Sequence, residues 1–143
     1  MMMSKLLVAY DGSDLSKKAL EEAMHQHHDG AQMEVHIIKV VSPDGPYSNP
    51  GLYHSIESSL VEKSEEELQM MKEELQEKYE NITVHTEALT GDPGNSISEY
   101  GKAHDIDMIV IGSRGLGNIK GWFLGSVSHR VVQQADCQVM IVK

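Results

Sequence analysis

The chain has 143 residues, 40% of them hydrophobic, and a formal net charge of −10. It is long enough for one domain with a real core, no apolar run approaches the about 18 residues of a membrane span, and the negative balance argues against general binding to nucleic acid or an anionic membrane. The single cysteine, Cys137, lies in an apolar run and cannot close an internal disulfide, so a buried thiol in a cytosolic protein is expected.

Lys5 to Tyr10 predicts a first strand. Its apolar stretch Leu6-Leu7-Val8-Ala9 ends at Asp11, too soon for the core of a signal peptide. Asp11-Gly12-Ser13 makes a turn and Asp14 can cap a helix, in which Leu15, Ala19, Leu20, Ala23 and Met24 recur at helical spacing until Gly30 ends it. Met33 to Val41, rich in β-branched residues, predicts the second strand. Pro43, Gly45, Pro46, Pro50 and Gly51 make Ser42 to Tyr53 a long loop. Ile56 to Tyr79 predicts a long charged helix with a sparse apolar stripe of Leu60, Leu68, Met71 and Leu75, its many glutamates forming a solvated face. Ile82 to Leu89 alternates apolar and polar side chains, as a strand near a sheet edge does. Gly91-Asp92-Pro93 turns the chain, and Pro93 suits the first turn of a helix reaching about Ala103. Asp107 to Ile111 is the fourth strand, Gly125 to Gln134 a short helix, and Cys137 to Val142 the last strand.

Strict alternation of strands and helices predicts one doubly wound parallel sheet with helices on both faces. Ligands of such sheets bind beyond the carboxyl ends of the strands, where the strand order reverses. With the first and fourth strands adjacent, the turns at Asp11 and Gly112 would face one crevice.

The segment Met108 to Ser128 carries the strongest chemical signal. A buried-strand run enters Gly112, Gly115, Gly117 and Gly121, and a helix starts near Gly125-Ser126. Glycines let backbone N–H groups approach a ligand, and a helix N-terminus adds unpaired donors with a partial positive charge. These are the parts of a phosphate cradle. The N–H groups of Gly115, Ser126 and Val127 are candidate phosphate donors. The Ser126 hydroxyl can bind phosphate or act as an N-cap, and Arg114 and Lys120 add charge. The same glycines also suit a loop without a ligand. Asp11 fits two roles, accepting hydrogen bonds from sugar hydroxyls or a metal, or bracing its own turn. Val40-Val41 can read a base edge or simply fill the sheet core. The chain lacks Gly-x-x-x-x-Gly-Lys-Ser/Thr, and Gly115-Leu116-Gly117 is followed by Lys120 where a dinucleotide site needs a third glycine.

His25, His27 and His28 lie near a helix end and read as exposed histidines, so no metal held by protein side chains is expected. His129 can serve as an acid or base, but no nucleophile stands at suitable spacing and no catalytic residue is assigned. Trp122 and Phe123 either pack the glycine loop or meet a partner.

Over essentially its whole length the chain resembles the universal stress protein family. The resemblance rests on Leu6-Leu7-Val8-Ala9-Tyr10-Asp11-Gly12-Ser13, Gly112-Ser113-Arg114-Gly115, Gly125-Ser126-Val127-Ser128 and Val139-Met140-Ile141-Val142. The spacing Gly112-x2-Gly115-x9-Gly125-Ser126 is that of the family's ATP-binding branch. The resemblance implies a single domain over residues 1–143, a five-stranded parallel sheet of order 3-2-1-4-5, and bound ATP with Mg²⁺ or Mn²⁺ bridging its phosphates. It implies that Ala9, Tyr10 and Asp11 line the nucleoside side and that Val40 touches adenine. Ile111, Gly112, Arg114 and Gly115 would hold ribose and phosphates, and Gly125, Ser126 and Val127 the phosphate tail. It also implies a homodimer through the last strand, which would cover an apolar edge. The expected role is a cytoplasmic regulator or sensor in stress response. The alternatives are a slow ATPase or phosphate-ester hydrolase with Asp11 or His129 orienting water, and a ligand-free interaction module.

Overall fold

The computed structural model describes residues 4–27, 31–41, 50–114 and 124–143. Strands and helices alternate as β1 Ser4–Ala9, α1 Asp14–Met24, β2 Met33–Val41, α2 Pro50–Lys78, β3 Ile82–Thr90, α3 Pro93–Ala103, β4 Met108–Gly112, α4 Ser126–Gln134 and β5 Gln138–Val142. All five strands are parallel, in the order β3-β2-β1-β4-β5, as the alternation and the resemblance lead one to expect. The chain winds outward in one direction through β2 and β3 and in the other through β4 and β5. The switch point therefore lies between β1 and β4.

Side chains alternate across the strands and build two cores. Leu6, Val8, Val35, Ile37, Val84 and Val110 pack with Ala19, Ala23, Met24 and Leu68 on the face covered by α1 and α2. Leu7, Ile38, Ile109 and Ile111 pack with Ile97, Tyr100 and Val131 under α3 and α4. The central β1 is buried on both sides, whereas β3, at an edge, keeps the alternation seen in its sequence.

Some boundaries differ from the sequence reading. Helix α2 begins at Pro50 and not at Ile56, so the part of the expected Ser42–Tyr53 loop from residue 50 onward is helical; residues 42–49 lie outside the described residues. Proline breaks a helix interior but fits its first turn, where the N–H has no partner to lose. Leu60 is 41% exposed and leaves the stripe; buried Ser64 and Leu68 take the core side of α2, with Met71 and Leu75 following. Ser13, not Asp14, caps α1: its hydroxyl accepts from the Ser16 N–H at 3.2 Å, and Asp14 is the first helical residue. That helix stops at Met24, well before Gly30, which lies outside the described residues. Cys137 is half-buried against the α3–α4 core rather than fully buried.

Candidate functional site

β1 and β4 pair directly, Leu6 with Met108, Leu7 with Ile109 and Val8 with Val110. The turns that follow them therefore emerge side by side at the carboxyl end of the sheet. In the first turn Gly12 holds φ at 87°, a conformation that favours glycine. One Asp11 oxygen, Oδ1, accepts from the Ser13 N–H at 2.9 Å. The Ser16 hydroxyl donates to the Ser13 carbonyl at 2.8 Å. The bracing role of Asp11 is thus filled by one oxygen, with the second outside that bond.

The second turn is fixed by Ser113. Its N–H donates to the Val142 carbonyl at 2.7 Å, and its own carbonyl accepts from the Gly125 N–H at 2.6 Å and the Ser128 hydroxyl at 2.9 Å. These bonds bring the start of α4 back against the end of β4. The glycines permit this approach. A Cβ on Gly125 would stand 3.3 Å from both the Arg114 Cα and the Ser113 carbonyl oxygen, and one on Gly112 only 2.9 Å from the Leu15 Cβ. Both positions are required by backbone packing within the protein.

Helix α4 starts without a side-chain cap. Gly125 occupies the N-cap position and makes no side-chain bond, whereas α1 and α3 are capped by Ser13 and Asp92. Ser126 is therefore the first helical residue and not the cap. The N–H groups of Ser126 and Val127 have no acceptor inside the helix, and the first turn of α4 carries no acidic residue at the positive end of its dipole.

Ala9, Val40, Ile111 and Val127 all lie on the α3–α4 face, Ile111 buried and the others half-buried. Tyr10 faces the opposite core, 7% exposed among α1 and α2 residues. Its N–H donates to the Ile38 carbonyl at 2.9 Å, so its backbone still belongs to the strand end. Burial raises the Tyr10 pKa above its ordinary 10.0, helped by the charge of Glu67, a hydrogen bond to it and the charge of Asp11. Glu67 also takes the Lys39 Nζ at 3.1 Å, so these groups tie α2 to the sheet. Arg114 is half-buried beside Ser113, and His129 is exposed. Gly115, Lys120, Trp122 and Phe123 lie outside the described residues.

A profile of the Universal stress protein family matches residues 2–143. The chain belongs to the universal stress protein family. Universal stress protein YxiE of Bacillus subtilis is 35% identical over 151 aligned positions, covering 99% of this chain and 100% of the relative. Universal stress protein MJ0531 of Methanocaldococcus jannaschii is 31% identical, covering 99% and 83%. Among solved structures, hypothetical protein MJ0577 superposes with a TM-score of 0.88 at 24% identity over 100% of this chain and 97% of that one. Two further structures share the fold at lower scores. One is a universal stress protein in complex with cAMP, with a TM-score of 0.59, 21% identity and coverage of 98% and 96%. The other is a family protein from Arabidopsis thaliana with AMP bound, with a TM-score of 0.57, 22% identity and coverage of 98% and 91%.

This family member carries a second polar constellation, which the sequence reading does not contain. Glu34 and His36 lie two apart on β2 and so share a face, and His36 pairs in register with His85 on β3. Glu34 Oε1 stands 2.9 Å from His36 Nε2 and 3.0 Å from His85 Nε2. The two imidazoles stack at 4.6 Å, and the Tyr100 hydroxyl lies 2.7 Å from His36 Nδ1. His104 stacks on Tyr100 at 3.8 Å, and its Nδ1 lies 3.0 Å from the Tyr100 carbonyl oxygen. Burial opposes ionisation of Glu34, but the His36 hydrogen bond and the charges of His36, His85 and Lys5 prevail and hold its carboxyl below the ordinary range. Burial lowers the His36 pKa below its ordinary value, against the pull of Glu34. Burial also drives Tyr100 up to about 12, so its hydroxyl stays a donor. The local clue is Glu34-Val35-His36; the missing information is the register that sets His85 beside it. Of the histidines weighed from sequence, His25 is exposed and lies 3.8 Å from Glu22, His27 is half-buried in a T-shaped pair with Tyr79 at 6.1 Å, and His28 lies outside the described residues.

Proposed function

We propose that the crevice at the carboxyl ends of β1 and β4 holds ATP and that the protein acts as a cytoplasmic regulator or sensor in stress response, not as an efficient enzyme. The observation that carries this reading is the uncapped start of α4 beside the β4 turn. Its Ser126 and Val127 N–H groups suit phosphate oxygens. Gly115 would contribute a further backbone donor, and Arg114 positive charge. Gly112 and Gly125 would act by allowing the backbone of the two turns to close up. Ala9 and Val40 offer apolar cover for adenine, and Ile111 backs the ribose side from the same core. The backbone of Tyr10 would complete the nucleoside side.

AMP and cAMP on two proteins of the same fold support a nucleotide as the ligand class. A Mg²⁺ or Mn²⁺ ion bridging the phosphates needs oxygen donors. Asp11 is the one carboxylate in the turns 11–13 and 112–114, and the oxygen not bonded to Ser13 fits such an ion or a ribose hydroxyl. The ion would neutralise phosphate charge. The phosphate-binding lysine of P-loop enzymes is absent, which favours holding ATP over turning it over.

Homodimerisation through β5 belongs to the same reading. β5 is an edge strand, and Val139, Met140 and Ile141 are half-buried in the single chain. A second β5 edge would pair its open backbone groups. Sedimentation at micromolar concentration should give a dimer; a monomer would refute this part.

Calorimetric titration with ATP and Mg²⁺ tests the site. The wild type should bind one ATP per chain, and Gly115→Val should lose binding. No heat from the wild type, or equal binding by the variant, would overturn the proposal.

A further inference from the structure

The Glu34–His36–His85 constellation lies at the other end of the sheet. From Glu34 to Val40 along β2 is about 20 Å at ordinary strand rise, so the constellation is separate from the proposed nucleotide crevice. We infer that Glu34, His36 and His85 form a binding site for a late first-row divalent cation such as Zn²⁺, each residue supplying one donor atom.

The donor set is two imidazole nitrogens and one carboxylate oxygen, which favours zinc and its neighbours over Mg²⁺ or Ca²⁺. The donor atoms of the three residues all lie within 4.8 Å of one another. Two ligands of one tetrahedral zinc stand about 3.3 Å apart. The Nε2–Oε1 separations of 2.9 and 3.0 Å need a few tenths of an ångström of opening, and the two imidazole donors, within 4.8 Å of each other, would move to the same spacing. All three residues sit on adjacent parallel strands, which fix their spacing better than a loop would. His85 is 48% exposed at its side chain, against 5% for His36, so an ion can enter from solvent on the His85 side.

Without an ion, both Nε2–H groups donate to Glu34 Oε1, and the Tyr100 hydroxyl donates to His36 Nδ1. A metal at the two Nε2 atoms requires each neutral ring to carry its proton on Nδ1 instead. His36 Nδ1–H then donates to the Tyr100 oxygen 2.7 Å away, the outer-shell bond that orients a metal-bound imidazole. His85 Nδ1–H can face water from its half-exposed ring. Three protein ligands leave a fourth position for water or an incoming group, so the site would be an exchangeable one.

The test uses the full chain without a purification tag, stripped with chelator and titrated in the absence of nucleotide. Calorimetry with Zn²⁺ should show one ion per chain at micromolar concentration. Co²⁺ should give a visible ligand-field spectrum without a thiolate charge-transfer band, which would implicate Cys137. His85→Ala, at a half-exposed position, and the isosteric Glu34→Gln should each weaken Zn²⁺ binding at least about 10-fold with unchanged circular dichroism. His25→Ala should bind as the wild type does. Absence of Zn²⁺ uptake by the wild type, equal affinity in His85→Ala, or loss of binding in His25→Ala instead would overturn the site.

Discussion

The two ends of the β-strands are built on different principles. At the carboxyl end, the turns after β1 and β4 are held by backbone groups and by small residues, Gly12, Gly112, Ser113 and Gly125, and helix α4 starts with no side-chain cap from its N-cap residue. At the amino end, Glu34, His36, His85 and Tyr100 bond one another through side chains. The first arrangement, a helix start without a side-chain cap, is of the kind that suits an anion. The second satisfies itself through side-chain hydrogen bonds, which the proposed cation would have to replace.

The largest expected effect falls on the backbone-built end. Gly112→Val would drive a side chain into Leu15, since a Cβ added at Gly112 stands 2.9 Å from the Leu15 Cβ, and should cost about 2–3 kcal/mol in urea unfolding. A near-neutral result would show that this glycine does not set the contact between β4 and α1. Next, Tyr100→Phe removes the donor to buried His36 Nδ1 and should cost about 1–2 kcal/mol, measured the same way. Ser128→Ala loses the bond that ties α4 to the Ser113 carbonyl and should cost about 1 kcal/mol. Ser126→Ala, at an exposed side chain without a capping role, should stay within about 0.5 kcal/mol of the wild type. Equal costs for the two serines would break the distinction between the residue that builds the turn and the one left for a ligand.

The smallest effect concerns Cys137, just before β5. Burial, then the charge of Asp136, raises its thiol above the ordinary 9.0, although backbone hydrogen bonds pull the other way. The native chain therefore holds less thiolate at pH 8 than the unfolded chain does, and iodoacetamide should label it more slowly. The native rate should climb as pH rises through and beyond 9, toward the raised pKa. Equal labelling of native and unfolded protein at pH 8 would contradict the assignment.

The sheet is legible in the sequence because its signals are local. The β-branched run fixes β2 at Met33–Val41, and Asp92-Pro93 marks the start of α3. Alternation of elements predicts a parallel sheet but leaves the adjacency of β1 and β4 open; the family resemblance implies the full order, and the structure has it. Pro50 misleads because proline signals both a break and a first turn, and the local sequence does not separate the two. Tyr10's hydrogen bond with Glu67 and Ser128's bond to Ser113 both join residues far apart in the sequence, so neither is a local signal. The histidine constellation is invisible in the sequence for the same reason, since His36 and His85 meet only through the register of β2 with β3.

Entry of nucleotide at the carboxyl ends of the strands is the central claim. Amide chemical shifts of the isotope-labelled chain during titration with ATP and Mg²⁺ test it most directly. The prediction is large shifts at Gly12, Ser126 and Val127, with Glu34, His36 and His85 unmoved. Shifts centred on the histidine end, or none anywhere at saturating ATP, would contradict it.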